Sequence, residues 1–161
     1  FYYHPMQGES QAVWDFIKKD KNIRIIHLKR KNMLKTYLSR QIADKINLWV
    51  QRNEKAPIRI EDKRVEINIV KCLEEFDKIN KWENNTRKTF SEHPYYELTY
   101  EELTSNIQNK MNLIFDFLEI ENQPVRSMLK KQNPEKLEDL IINYKELKKA
   151  LVNSKYSYLM E

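Results

Sequence analysis

The feature that most constrains the fold is a short apolar run, Ile23–Leu28, which lies between two helical patterns. It is β-branched and nearly continuous, with polar residues on both sides, as is typical of a buried strand of a parallel sheet. Residues 10–19 carry apolar side chains at helical spacing, and Phe1–Tyr3 is predicted to be a strand. The order strand, helix, strand predicts a βαβ unit.

The remaining patterns predict long helices and one further strand. Asn32 is a predicted helix cap, and its helix extends to about Val50. After an exposed connection with a short extended piece at Ile58–Ile60, a long helix follows, with a buried seam of Val65, Ile69, Cys72, Phe76 and Ile79. Residues 94–100 form a predicted strand, and Thr99 and Glu102 have the spacing of a capping box for the helix that continues to Leu118. A last helix opens at Asn133–Glu135. The fold class is therefore helix-rich α/β, in one domain over residues 1–161.

Composition excludes several classes of protein. The sequence has 161 residues, 1 Gly and 1 Cys, with 29 Lys+Arg against 24 Asp+Glu and a net charge of +5. A single cysteine excludes an intrachain disulfide and a multi-thiolate metal site, which favours a reducing, cytoplasmic location and predicts no bound metal. No apolar stretch approaches the ~20 residues of a membrane span, so no membrane association is expected.

A cluster of basic residues follows the central strand. Lys29, Arg30 and Lys31 stand immediately before the helix that Asn32 caps, and a helix start favours anions. Ser39, seven residues after Asn32, lies on nearly the same helix face. The pattern predicts a phosphate site, although the same cations also fit a solvated basic turn.

This arrangement resembles the 3′-phosphate-binding segment of sulfotransferases that use 3′-phosphoadenosine 5′-phosphosulfate (PAPS). Residues 98–103, followed by an amphipathic helix ending at Ile114–Ile120, resemble the strand, Tyr-Glu and helix segment of that family. Residues 140–147, with Lys155–Tyr156 behind them, resemble the C-terminal helix of bacterial members. The resemblance implies a parallel-sheet, P-loop-like sulfotransferase fold.

The resemblance also implies roles for individual residues. Arg30 or Lys31, together with Ser39, would hold the 3′-phosphate of PAPS, and Tyr100 would lie near the adenine, although a tyrosine at a strand end is also an ordinary packing residue. His4 stands where many members place the general base that removes the proton of the acceptor, and an imidazole suits that task; its alternative is a loop residue.

The family binds the 5′-phosphosulfate with a loop rich in Gly, Ser and Thr, and residues 1–22 contain nothing similar. The sequence is therefore predicted to be the C-terminal part of a sulfotransferase domain, inactive by itself. The expected acceptor is a hydroxyl or amine of a small molecule or a glycan.

The alternative function is a basic helical module that binds nucleic acid or a partner protein through Lys29–Lys35 and Arg40. The 24 acidic residues interleave with the basic ones, which disfavours a nucleic-acid surface. His27, Cys72 and the three tryptophans, Trp14, Trp49 and Trp82, are expected to serve packing.

Overall fold

The computed structural model describes residues 10–49, 58–127 and 133–160. The described part is helix-rich with a small parallel sheet, which confirms the α/β class. The chain divides into two compact units, the first comprising Phe1–Lys31 and Asp77–Val125 and the second Asn32–Phe76 and Arg126–Glu161. Within the described ranges, no helix combines the length and apolar character that crossing a membrane requires.

The described elements follow one another in a simple order. The strands are β1 (Ile25–Lys29) and β2 (Tyr95–Thr99). The helices are α1 (Ser10–Lys19), α2 (Met33–Ile46), α3 (Ile60–Lys63), α4 (Ile69–Thr89), α5 (Tyr100–Ser105), α6 (Ile107–Leu118), α7 (Leu137–Leu140) and α8 (Tyr144–Val152), followed by a 3-10 helix at Ser157–Met160. The predicted strand at Phe1–Tyr3, and with it the first half of the βαβ unit, lies outside the described residues.

The two strands of the first unit pair in parallel, as β1 was predicted to do. The register runs from Ile25 opposite Tyr95 to Lys29 opposite Thr99. Because side chains alternate between the faces of a sheet, residues at every second position share one face. His27, opposite Glu97, is buried and hydrogen-bonded, as predicted.

The prediction that β1 is a buried strand was wrong for two of its residues. Ile26 and Leu28 are 38% and 48% exposed, although they follow the strand pattern of the sequence. An apolar run records which residues favour burial, but not which segments cover them. A two-stranded sheet buries each face only where another element packs on it.

Helix α2 begins and ends at asparagines. The Asn32 side chain accepts a hydrogen bond from the backbone N–H of Lys35 at 3.0 Å, which confirms the predicted cap. Asn47 adopts a left-handed conformation with φ 51° and ends the helix before the predicted end at Val50. Trp49 follows this end and is 58% exposed, so it is not part of the buried core.

The second unit has a continuous apolar core around Phe76. The ring of Phe76 is fully buried and meets the rings of Tyr37 and Tyr156 edge-on, at centroid distances of 6.4 and 5.2 Å. Cys72 is buried, as predicted, and burial raises the pKa of its thiol to about 12. Other fully buried side chains of this unit are Leu34, Ile42, Ile67, Leu140, Ile141, Leu147, Leu151 and Leu159.

Four predicted segments differ locally from the structure. Val65 precedes α4 and forms an isolated parallel bridge with Ile141. Ile141 lies between α7 and α8, so the predicted last helix is two helices. Ile60 begins α3 rather than ending an extended piece. Asn106 ends α5 and caps α6 by accepting from the N–H of Asn109, so the predicted helix to Leu118 is two helices. A side chain that bonds the backbone competes with helix continuation at such positions.

Candidate anion-binding site

The candidate site lies in the first unit, where both strands end. Arg30 and Lys31 come directly after β1, and Tyr100 and Glu101 come directly after β2. Because Lys29 is opposite Thr99 in a parallel register, the segments that follow β1 and β2 leave the sheet at the same edge. Ligands of parallel α/β proteins bind at this carboxyl edge of the strands.

The guanidinium of Arg30 stacks on the ring of Tyr100, with 3.8 Å between Cζ and the ring centroid. Such a cation–π contact holds the planar cation in one orientation. Arg30 also forms an ion pair with Glu101, whose Oε1 lies 3.7 Å from Nη1 of Arg30. The Arg30 side chain keeps 34% of its surface exposed, so an oriented cation faces solvent at the sheet edge.

Lys31 lies beside Arg30 in the turn that follows β1 and contributes its backbone N–H there. Its N–H donates a hydrogen bond of 2.9 Å to Oε2 of Glu101. The side chain of Lys31 is exposed. The turn therefore binds a carboxylate with one backbone amide and one guanidinium, which are also the donor types that bind phosphate.

Lys29 has a different environment from the two cations that follow it. Its ammonium lies 2.6 Å from Oε1 of Glu97 and 4.0 Å from Glu83. It belongs to the strand and is mostly buried. Of the three consecutive cations in the sequence, this one is paired internally rather than presented at the turn.

Glu97 is the centre of a charged cluster on one face of the sheet. Arg87 binds both of its carboxylate oxygens, at 2.8 and 3.0 Å, and Lys29 binds one. Burial opposes ionisation of Glu97, but the hydrogen bonds from Arg87 and Lys29 outweigh it and lower the pKa to about 2. Burial also raises the pKa of Glu83, against the attraction of Lys29 and Arg87.

His27 and Tyr95 extend this cluster along the same face of the sheet. Its Nδ1 lies 2.5 Å from the hydroxyl of Tyr95 and 3.1 Å from Oε2 of Glu97. Burial lowers the pKa of His27, although Glu97 opposes the effect. The two contacts use the same nitrogen and alternate with its protonation: without a hydrogen, Nδ1 accepts from the Tyr95 hydroxyl, whereas with a hydrogen it donates to Glu97. Burial raises the pKa of Tyr95 to about 12, so this hydroxyl keeps its proton.

The two other sequence-predicted site residues, Ser39 and His4, do not belong to the described part of the first unit. Ser39 belongs to the second unit, in α2, where its hydroxyl accepts a hydrogen bond of 3.3 Å from the amide of Asn133. His4 lies outside the described residues. Arg30, Lys31 and Tyr100 come together at one edge of the first unit, because the two strands that they follow pair in parallel.

Sequence reasoning missed two acidic residues, one in the middle of β2 and one just after its end. Glu97 stands opposite His27 in the register, and Glu101 directly follows the predicted adenine contact. Alternation along residues 95–99 placed Tyr95 and Glu97 on one face, and that signal was available. The contacts of Glu97 with His27 and Lys29 depend on the register between the strands, and its contact with Arg87 depends on the packing of α4. No local sequence pattern specifies either.

Among the described residues, no group of three or more His, Cys, Asp or Glu side chains has an arrangement that could hold a metal ion. Comparison of the chain with family models, with curated proteins and with solved structures found no match.

Proposed function

We propose that this chain is part of a PAPS-dependent sulfotransferase domain, which transfers a sulfuryl group from PAPS to a hydroxyl or amine of a small-molecule or glycan acceptor. The observation that carries the proposal is the stack of Arg30 on Tyr100 where two parallel strands end. A guanidinium and an aromatic ring match the phosphate and the base of a nucleotide, respectively.

In this proposal Arg30 and Lys31 bind the 3′-phosphate of PAPS. The Lys31 backbone N–H and the Arg30 guanidinium already contact one anionic group, the Glu101 carboxylate. Charge-assisted hydrogen bonds of this kind contribute about 1.5–3 kcal/mol each. Tyr100 would orient Arg30 and lie beside the adenine. Ser39 and His4 keep the roles that the sequence resemblance implies for them, as predictions.

The chemistry would follow in-line transfer. The acceptor oxygen or nitrogen attacks sulfur, the bond from sulfur to the bridging phosphate oxygen breaks, and 3′-phosphoadenosine 5′-phosphate (PAP) leaves. The acceptor proton passes to a general base, for which His4 is the candidate. The 3′-phosphate lies away from the breaking bond, so Arg30 and Lys31 act by positioning the nucleotide.

Ion pairing of the basic segment supports this function over nucleic-acid binding. Lys29 pairs with Glu97, Arg30 lies beside Glu101, and Arg40 pairs with Glu75 at 3.0 Å. A surface that binds a phosphate backbone relies on many cations that are free to replace counterions. The alternation of acidic and basic groups instead suits recognition of one small anion.

Calorimetric titration with PAP and with adenosine 5′-monophosphate tests the proposal. We expect PAP to bind at least about tenfold more tightly than the nucleotide that lacks the 3′-phosphate, since one charge-assisted contact accounts for that ratio. Arg30→Ala is expected to abolish the preference. Arg59→Ala is the matched control, because Arg59 is an exposed arginine of the second unit that pairs with Asp62. Equal affinity of the wild-type chain for both nucleotides would falsify the proposal.

A further inference from the structure

The carboxylate of Glu101 occupies the turn that the proposed function assigns to a phosphate. Its Oε2 accepts the backbone N–H of Lys31 at 2.9 Å, and its Oε1 lies 3.7 Å from Nη1 of Arg30. Each of its two oxygens therefore contacts a different donor of the turn. Among the described residues, the groups that contact the Arg30 guanidinium are this carboxylate and the Tyr100 ring.

The capping of helix α5 does not use Glu101. Glu101 lies in the first turn of α5, whose cap is made by Thr99 and Glu102. The capping box satisfies the helix start without Glu101, since the Thr99 hydroxyl accepts from the N–H of Glu102 and Glu102 accepts from the N–H of Thr99. The Glu101 side chain therefore extends from the segment after β2 to the turn after β1.

We infer that Glu101 is an internal competitor for anions, whose carboxylate holds the turn at Arg30 and Lys31 and must be displaced before a phosphate binds there. This inference rests on the proposed function for the identity of the nucleotide, and it concerns regulation of affinity at the same site. A carboxylate and a phosphate oxygen use the same donors, so they exclude one another at the Lys31 amide.

The competition is expected to lower the affinity of the turn for phosphate. A ligand gains the contacts of Arg30 and Lys31 but loses those of Glu101, and two negative groups then lie close together. The pair is partly exposed, with 34% of the Arg30 and 36% of the Glu101 side chain accessible, so solvent screens part of this repulsion. Removing the carboxylate is expected to tighten phosphate binding about three- to fivefold.

Two variants separate the charge of Glu101 from its hydrogen bond. Glu101→Gln keeps an oxygen that can accept from Lys31 and removes the charge, and Glu101→Ala removes both. Glu121→Gln is the matched control, since it removes one negative charge from another exposed position of the first unit. We expect PAP to bind more tightly to both Glu101 variants, most tightly to Glu101→Ala, and to bind the control like the wild type.

Inorganic phosphate is a second probe that does not depend on the nucleotide. NMR titration follows the Lys31 amide, which is expected to respond to phosphate at lower concentration in both Glu101 variants than in the wild type. If PAP fails to bind any of the chains but phosphate shows this gain, the proposed function is wrong and the competition stands. Equal or weaker binding of both probes by Glu101→Ala would overturn the inference.

Discussion

At the residue scale, the first unit combines a solvent-facing cation, Arg30, with the charged cluster centred on Glu97. Arg30 is held by the ring of Tyr100, whereas Lys29, its neighbour in the sequence, is paired with Glu97. Lys29 is the last residue of β1 and shares a face of the sheet with His27, whereas Arg30 follows the strand and lies outside the ladder. The candidate binding residue Arg30 and the internally paired residue Lys29 are therefore adjacent in the sequence.

The charge cluster makes stability depend on pH. Because the folded-state pKa of Glu97 is about 2, against an ordinary value of 4.5, its ion pairs stabilise the fold above pH 4.5 and are lost as the pH falls toward 2. The carboxylate is partly exposed, so we expect a loss of about 1–2 kcal/mol after solvent screening. Urea unfolding at pH 5 and at pH 2.5 measures it.

Two variants check that Glu97 is the cause. Glu97→Gln is expected to lower the free energy of unfolding at pH 5 and to flatten its decrease toward acid. Glu92→Gln serves as a control, because its carboxylate is exposed and pairs with the surface residue Lys21. A pH dependence of Glu97→Gln as steep as that of the wild type would exclude this explanation.

At the element scale, helix α5 positions the aromatic and acidic parts of the candidate site. Tyr100 and Glu101 are its first two residues, and Thr99 is its cap. The helix has only six residues, too few for stability from propensity alone. Its capping box is therefore expected to matter more than in a long helix.

Thr99→Ala tests this dependence. Loss of the hydroxyl is expected to cost about 1 kcal/mol, measured by urea unfolding. The hydrogen bonds from the Thr99 backbone and hydroxyl lower the pKa of Glu102, so NMR titration is expected to show that pKa returning toward its ordinary value. Thr104→Ala is the matched control, since Thr104 lies later in the same helix and its hydroxyl bonds the carbonyl of Tyr100. Equal effects of the two substitutions would contradict a special role for the cap.

Local patterns predicted two helix caps correctly but missed two breaks within helical patterns. The caps at Asn32 and Thr99 were recognised because an accepting side chain three residues before its donor is a short-range signal. The breaks at Asn106 and Ile141 were missed. Asn106 carries a cap within an otherwise helical apolar pattern, and the Ile141 break depends on a bridge to Val65, which is distant in the sequence.

The candidate site was predictable to a similar extent. Arg30, Lys31 and Tyr100 were each placed at or just after the end of a predicted strand, but the pairing of these two strands, which brings the three residues to one edge, is a finding of the structure. Glu101 was not predicted, because its contacts with Arg30 and Lys31 depend on side-chain reach across that edge. Sequence patterns specify faces and edges, whereas competition for a donor is a property of three-dimensional geometry.

At the scale of the whole molecule, the two units stabilise themselves by different means. The described part of the first unit has a partly exposed sheet and many ion pairs, whereas the second has a continuous apolar core with aromatic contacts at its centre. Apolar burial is the larger contribution to folding free energy, and partly exposed ion pairs add little. The second unit is therefore expected to hold the residues that are most sensitive to truncation.

Phe76 provides the sharpest test of that expectation. Its ring is fully buried between Tyr37 and Tyr156, so Phe76→Ala leaves a cavity and is expected to cost about 3–5 kcal/mol. Val70→Ala is a control in the same helix, because Val70 is 66% exposed, and we expect it to change stability by less than about 1 kcal/mol. Denaturant unfolding of both variants measures the difference. If the two substitutions cost the same, Phe76 does not lie at the centre of a packed core, since only a closely packed interior makes removal of a ring so much more costly than removal of surface methyl groups.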